Sequence, residues 1–151
     1  MEPAVTPDLA VRYLRELSAD LVAAAVATAG GRTLAGPSDL ATAAVELVAR
    51  VPGAGFDVVL QMRAAGAVVV VARSDEHAVV AVHGENALAG LVAHDLVTVL
   101  GDLATAPGRA TEPVVHDVAD VTPALVEAVR RAVAAWDRPP QRALPRPDAD
   151  P

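Results

Sequence analysis

The chain has 151 residues, of which 53% are hydrophobic, so it has enough apolar residues for one domain with its own core plus short appendages. Its net charge of −7, with no basic cluster beyond Arg130–Arg131, argues against nucleic-acid binding, because such a site needs cations to neutralise phosphates. The chain has no cysteine, which excludes disulfides, thiolate metal sites and cysteine nucleophiles.

The N-terminal residues predict a helix and no targeting segment. They contain acids and lack the basic stretch of a signal peptide, and the longest apolar run, Leu21–Ala27, is far shorter than the ~20 residues of a transmembrane helix. We therefore expect a soluble, cytoplasmic protein. Thr6 can cap a helix that starts at Pro7 and ends near Leu17–Ser18. Helical spacing predicts one apolar face, made of Leu9, Tyr13, Leu14 and Leu17.

The next stretch predicts a hairpin. Two short apolar segments, Asp20–Ala29 and Arg32–Ala35, are joined by Gly30-Gly31, and both glycines accept the positive φ of a tight turn. The alternative is that the first helix continues through the Ala-rich segment.

A second helix and three strands follow. Ser38-Asp39 starts the helix and Pro52-Gly53 stops it, with an apolar stripe of Leu40, Ala44, Leu47, Val48 and Val51. The strands are predicted at Asp57–Arg63, Ala67–Arg73 and His77–His83. The middle strand does not alternate, which is typical of a central strand covered on both faces. The first alternates more, which suits an edge strand or one that faces a partner.

The rest of the chain predicts two helices and a tail. The third helix spans about Asn86–Leu103, and Gly90 within it allows close packing on the sheet. Its apolar stripe is Leu88, Leu91, Val92, Leu96, Val99, Leu100 and Leu103. We interpret 1–103 as the domain, 104–121 as a linker, 122–137 as an additional amphipathic helix, and 138–151 as a disordered, Pro-rich tail. The added helix, which carries Trp136, either packs on its own domain or docks in a partner's groove, and packing is favoured.

The element order, α-β-β-α-β-β-β-α, resembles the roadblock/LC7 (dynein light chain-like) family, which includes the bacterial MglB-type regulators. The similar residues are the strand–Gly turn–strand at Val22–Ala35, the helix Ser38–Val51, and the block from Gly66 to Leu96. In that block Asp75, Val79–Val82, Asn86–Leu88, Gly90–Leu91 and Leu96 stand in the family's places. The resemblance covers about residues 8–103. The Ala27–Gly31 turn lacks the family's Asp-rich pattern.

This resemblance implies an α/β (α+β) sandwich with a five-stranded antiparallel sheet, helices on both faces and, here, an extra C-terminal helix. Family members are usually homodimers that pair the helix after the hairpin and the next strand across a two-fold axis. The implied interface residues are Leu40, Ala44, Leu47, Val48, Val51, Val59, Gln61 and Arg63.

The resemblance also implies a function: a non-enzymatic scaffold or regulator that binds a Ras-like small GTPase or another signalling or motility partner. At most, the chain would be a GTPase-activating or regulatory partner. The rival hypotheses are a small-molecule sensor or enzyme on the same sandwich, which needs a pocket with converging polar groups, and a purely structural dimerisation module.

Candidate chemistry is sparse, and we expect no catalytic residue, cofactor or metal. His77, His83 and His94, with Glu76 and Glu85, are the residues most like metal ligands, but the first two would lie ~20 Å apart on one strand. Gly30-Gly31-Arg32 lacks the spacing and lysine of a phosphate loop. Asp95 and Asp102 are expected to face solvent. Arg63, Arg73 and Trp136 are the candidate partner contacts, with a solvated strand-end charge as the ordinary alternative for both arginines.

Overall fold

The computed structural model describes residues 5–51, 58–104 and 114–136, and the predicted tail and half of the predicted linker lie outside them. The described chain contains four helices and six strands. Their bounds are α1 Pro7–Leu17, β1 Leu21–Thr28, β2 Thr33–Ala35, α2 Ser38–Ala49, β3 Val58–Ala64, β4 Ala67–Arg73, β5 His77–His83, α3 Ala89–Leu103, β6 Val114–Asp117 and α4 Pro123–Ala135. The predicted order of elements up to α3 is confirmed.

The strands form one sheet in the order β2-β1-β5-β4-β3-β6. All neighbours are antiparallel except β3 and β6, which are parallel. The resemblance implied five strands. The sixth, β6, comes from the short Val114-Val115 patch inside the predicted linker, and it pairs with a strand more than fifty residues earlier in the chain.

The tight turns follow the predicted breaks. Gly31, with φ of 108°, closes the β1–β2 hairpin, and its N–H donates to the Thr28 carbonyl. Ala65 and Gly66, with φ of 50° and 80°, form the two-residue β3–β4 turn. Positive φ at both central residues is the turn geometry that matches the twist of a hairpin. Ser74 organises the β4–β5 turn, where its Oγ accepts from the N–H groups of Glu76 and His77.

Helices cover both faces of the sheet, as predicted. Helices α2 and α4 pack on one face, against Leu60, Val69 and Val80. Helices α1 and α3 pack on the other, against Val59, Val70 and Val79. The middle strands β4 and β5 are therefore buried from both sides, which accounts for their unbroken Val-rich runs. In the described ranges, no helix is both long and apolar enough to cross a bilayer.

Two predicted apolar faces are only partly correct, since Leu14 of α1 and five of the seven stripe residues of α3 are buried and the others are not. In α1, Ala10 and Leu14 contact the sheet, while Leu9, Tyr13 and Leu17 are exposed, because the last three lie along one flank of the helix. In α3, Leu88 and Leu91 are 66% and 64% exposed, and the helix starts at Ala89, three residues later than predicted. Gly90 does not mediate close packing, since nothing lies within 4 Å of a Cβ added there.

Candidate functional site

The predicted interface residues, here called the β3–α2 surface, divide between the two faces of the sheet. The members in α2 (Leu40, Ala44, Leu47 and Val48) are buried against the sheet beside Leu60 and Met62. Val59 belongs to the opposite core, with α3. Strand alternation places Gln61 and Arg63 on the same face as Val59. The surface is therefore a strand edge and an adjoining helix rather than one flat patch.

The C-terminal part of the same chain covers this surface. We call residues 114–136, which contain β6 and α4, the C-terminal strap. Strand β6 pairs with β3 from Val58–Val114 to Gln61–Asp117, and the Val118 N–H then donates to the Gln61 carbonyl at 2.9 Å. Helix α4 packs on α2 through the fully buried residues Leu125, Ala128 and Val129.

Charged groups accompany this contact at both ends of α2. Arg131 of α4 lies 3.5 Å from the Asp39 carboxylate at the start of α2, with side chains 67% and 40% exposed. At the other end of α2, Arg50 lines a groove of about 440 Å³ together with Asp117 and Asp120 of the strap. Asp39 and Arg131 are 92 positions apart, so no sequence pattern links them.

The two-fold interface through the β3–α2 surface stays a prediction, and in the monomer the strap occupies that surface. The edge of β3 is paired with β6, and the face of α2 is packed with α4. A dimer through the β3–α2 surface would therefore require the strap to leave its place.

The candidate partner contacts lie apart. Register pairs Val58 with Arg73 and Arg63 with Val68, which puts the two arginines at opposite ends of the sheet, about 17 Å apart along the strands. The Arg63 guanidinium donates to the Glu85 carbonyl at 3.2 Å. Trp136 directly follows α4 and is half-buried. One partner could touch all three residues only by spanning the molecule.

Arg63 borders a groove at the end of the sheet. The groove has a volume of about 510 Å³ and is lined by residues of β3, the start of α3 and the strap, among them Gln61, Arg63, Leu88, Asp117 and Val118. Leu88 and Leu91 stand exposed at the start of α3. Helical periodicity predicted these leucines as core and so missed them as surface.

The histidines do not come together. His77 and His83 lie at opposite ends of β5, and His94 is exposed on α3. Within the described ranges, no group of three or more His, Asp or Glu side chains is placed to hold a metal ion. Asp95 and Asp102 are half-buried rather than solvent-facing.

His83 is the one buried polar residue of the described core and is only 5% exposed. Its Nδ1 has no hydrogen-bond partner among the described residues. Burial lowers the pKa of His83, because it penalises the charged imidazolium, and this outweighs the opposite influence of the Asp20 and Asp95 carboxylates. His83 is therefore a neutral core residue near neutral pH.

The fold is an α/β sandwich in which the strap covers the edge of β3 and packs against α2. No protein-family model matches the sequence, and no curated protein matches it. Among solved structures, the chain is similar to the roadblock/LC7 domain from Streptomyces avermitilis, with a TM-score of 0.52 and 13% sequence identity, over 64% of this chain and 92% of that one. The chain thus has the roadblock/LC7 fold, and the resemblance seen in the sequence is confirmed at the level of the fold.

Proposed function

We propose that the chain is a non-enzymatic, homodimeric regulator or scaffold that binds a Ras-like small GTPase or another signalling or motility partner in the cytoplasm. The observation that carries this proposal is the roadblock/LC7 fold, a fold of regulatory and scaffold domains. The β3–α2 surface supports the homodimer, because the β3 edge, which β6 pairs in the monomer, contains no proline and would recruit another strand once it was vacated.

The mechanism would be surface complementarity. The dimer would hold the switch segments of a GTPase in one arrangement, and so change the rate of hydrolysis or nucleotide exchange without supplying a reacting group. Arg63 and Arg73 are the cations best placed at the sheet ends to touch an acidic partner surface. An arginine that reaches the nucleotide would also accelerate hydrolysis directly.

The test is capture of partners by the immobilised full chain, followed by GTP hydrolysis and exchange assays on any GTPase recovered. We expect a GTPase that binds in one nucleotide state more tightly than in the other. Arg63→Ala and Arg73→Ala should weaken that binding, whereas Arg130→Ala, an exposed arginine on α4, should not. Capture of partners that include no GTPase would overturn the GTPase proposal and favour a purely structural module.

A further inference from the structure

The strap holds the β3–α2 surface through one helix, α4, which buries Leu125, Ala128 and Val129, and through one short strand with few further contacts. Strand β6 is four residues long, whereas β3 and β4 pair over seven. The Val115 side chain of β6 is 53% exposed, so it adds little burial. The Arg131–Asp39 pair is exposed, and exposed pairs contribute little stability.

One face of α2 carries opposite charges at its two ends. Asp39, Ala43, Leu47 and Arg50 recur at helical spacing, and the eleven steps from Asp39 to Arg50 make about three whole turns. The strap brings opposite charges to both ends: Arg131 lies 3.5 Å from Asp39, and the acids Asp117 and Asp120 line the same groove as Arg50 without forming an ion pair with it.

A second copy of the chain would also place opposite charges beside the two ends of α2. If two α2 helices packed antiparallel across a two-fold axis, Arg50 of each would face Asp39 of the other, with the small residue Ala43 near the crossing. The exposed β3 edges would pair at the same time, since Val58–Met62 contains neither proline nor charge. The charges of the strap therefore reproduce those of a second α2.

We propose that the C-terminal strap is an autoinhibitory segment that occupies the β3–α2 surface in the monomer and must be released before a second copy can bind there. This inference rests on the proposed homodimer but not on any GTPase. On this proposal, the position of the strap determines whether the chain can dimerise.

Locking the strap is the first test. Gln61 and Asp117 are register partners in the parallel β3–β6 pair, about 5 Å apart, a spacing that a disulfide accepts. Because the natural chain has no cysteine, Gln61→Cys/Asp117→Cys has a single possible intrachain bond. By sedimentation velocity on the full chain, we expect oxidation to weaken dimerisation at least tenfold and reductant to restore it. Equal dimerisation of both forms would overturn the proposal.

Loosening the strap is the second test. Arg131→Glu places a negative charge beside Asp39 and should strengthen dimerisation about threefold or more. Arg130→Glu is the matched control, because it changes the net charge equally and, like Arg131→Glu, removes a pairing with Glu127, but Arg130 has no contact with Asp39. Equal effects of the two variants would overturn the proposal.

A charge exchange identifies the occupant as a second α2. In an Arg131→Ala background, Asp39→Arg alone or Arg50→Asp alone should weaken self-association at least threefold, because each places like charges across the two-fold axis. Mixing the two variants should restore association, since the introduced arginine of one chain then faces the introduced aspartate of the other, and the remaining natural Arg50 faces the remaining natural Asp39. A mixture no tighter than the single variants would overturn this arrangement.

The disulfide lock separates this inference from the proposed homodimer. A dimer that forms despite the locked strap would overturn the autoinhibitory role of the strap and leave the proposed homodimer standing.

Discussion

Gly36, between β2 and α2, is a residue whose identity the backbone dictates. Its φ is +82°, and an added Cβ would overlap the Ala24 carbonyl oxygen and approach the Ala25 Cα at 2.8 Å. Both are backbone atoms of the neighbouring strand β1 and cannot rotate away. We expect Gly36→Ala to lower the free energy of unfolding by about 3 kcal/mol or more, measured by urea denaturation.

Gly90→Ala is the matched control for this substitution. Nothing lies within 4 Å of a Cβ at position 90, which is in the first turn of α3. Alanine there should leave stability unchanged or raise it by up to about 1 kcal/mol through helix propensity. A Gly36→Ala variant as stable as Gly90→Ala would show that β2 does not approach β1 as closely as the structure has it.

His83 makes stability depend on pH. Burial lowers its pKa in the folded state, so between that pKa and the ordinary value of 6.5 the unfolded chain binds more protons than the folded one. Its contribution to stability is therefore present above pH 6.5 and is lost as the pH falls through the folded-state pKa. We expect the urea midpoint to drop from pH 7.5 to pH 5.5 by more in the natural chain than in His83→Asn. His94→Asn, at an exposed histidine, should retain the full drop.

At the level of elements, the two Thr-Pro helix starts have the same sequence signal and different structures. At the start of α1, the Thr6 hydroxyl accepts a hydrogen bond from the Leu9 N–H at 3.3 Å. At the start of α4, Thr122 is the N-cap residue but makes no side-chain capping bond. We expect Thr6→Ala to cost about 0.5–1 kcal/mol of unfolding free energy and Thr122→Ala only a few tenths. Equal costs in thermal or urea unfolding would contradict the difference in capping.

The elements themselves were largely predictable, because local patterns specify them. The Gly30-Gly31 hairpin, the Val-rich central strands and the stripe of α2 all rest on contacts within a few residues or on simple periodicity. The buried side of α1 was not predictable in this way. Its sheet contacts come from Ala10 and Leu14, and alanine carries too weak a hydrophobic signal to compete with Leu9, Tyr13 and Leu17.

The strap was the part of the candidate site that the sequence could not place. Four residues around Val114-Val115 are too short for a periodicity signal, and their pairing with β3 is both parallel and distant in sequence. The amphipathic pattern of α4 predicted a buried stripe, and Leu125 and Val129 confirm it. The sequence did not indicate that α4 packs against α2. This contact follows from the tertiary structure, in which both helices lie on the same face of the sheet.

At the scale of the whole molecule, the architecture predicts an order of opening. Strands β4 and β5 have a neighbouring strand on each side and helices on both faces, whereas the strap lies at one edge of the sheet, where β6 pairs with β3 at four positions and α4 packs on one face only. Segments with few buried contacts open with less free energy than the core. We expect hydrogen–deuterium exchange, followed by mass spectrometry at low urea concentrations, to label residues 114–136 before residues 67–83.

Helix α1 serves as an internal control in this exchange experiment, because it packs on the other face of the same sheet through Ala10 and Leu14. If α1 exchanged together with the strap, the result would report general loosening of the helices rather than release of one segment. Exchange of the strap ahead of both α1 and the β4–β5 hairpin would show that it leaves while the rest of the sheet stays folded. Exchange of the strap only in step with β4 and β5 would mean that it detaches by global unfolding alone, and a release that exposes the β3–α2 surface on a folded domain would then be untenable.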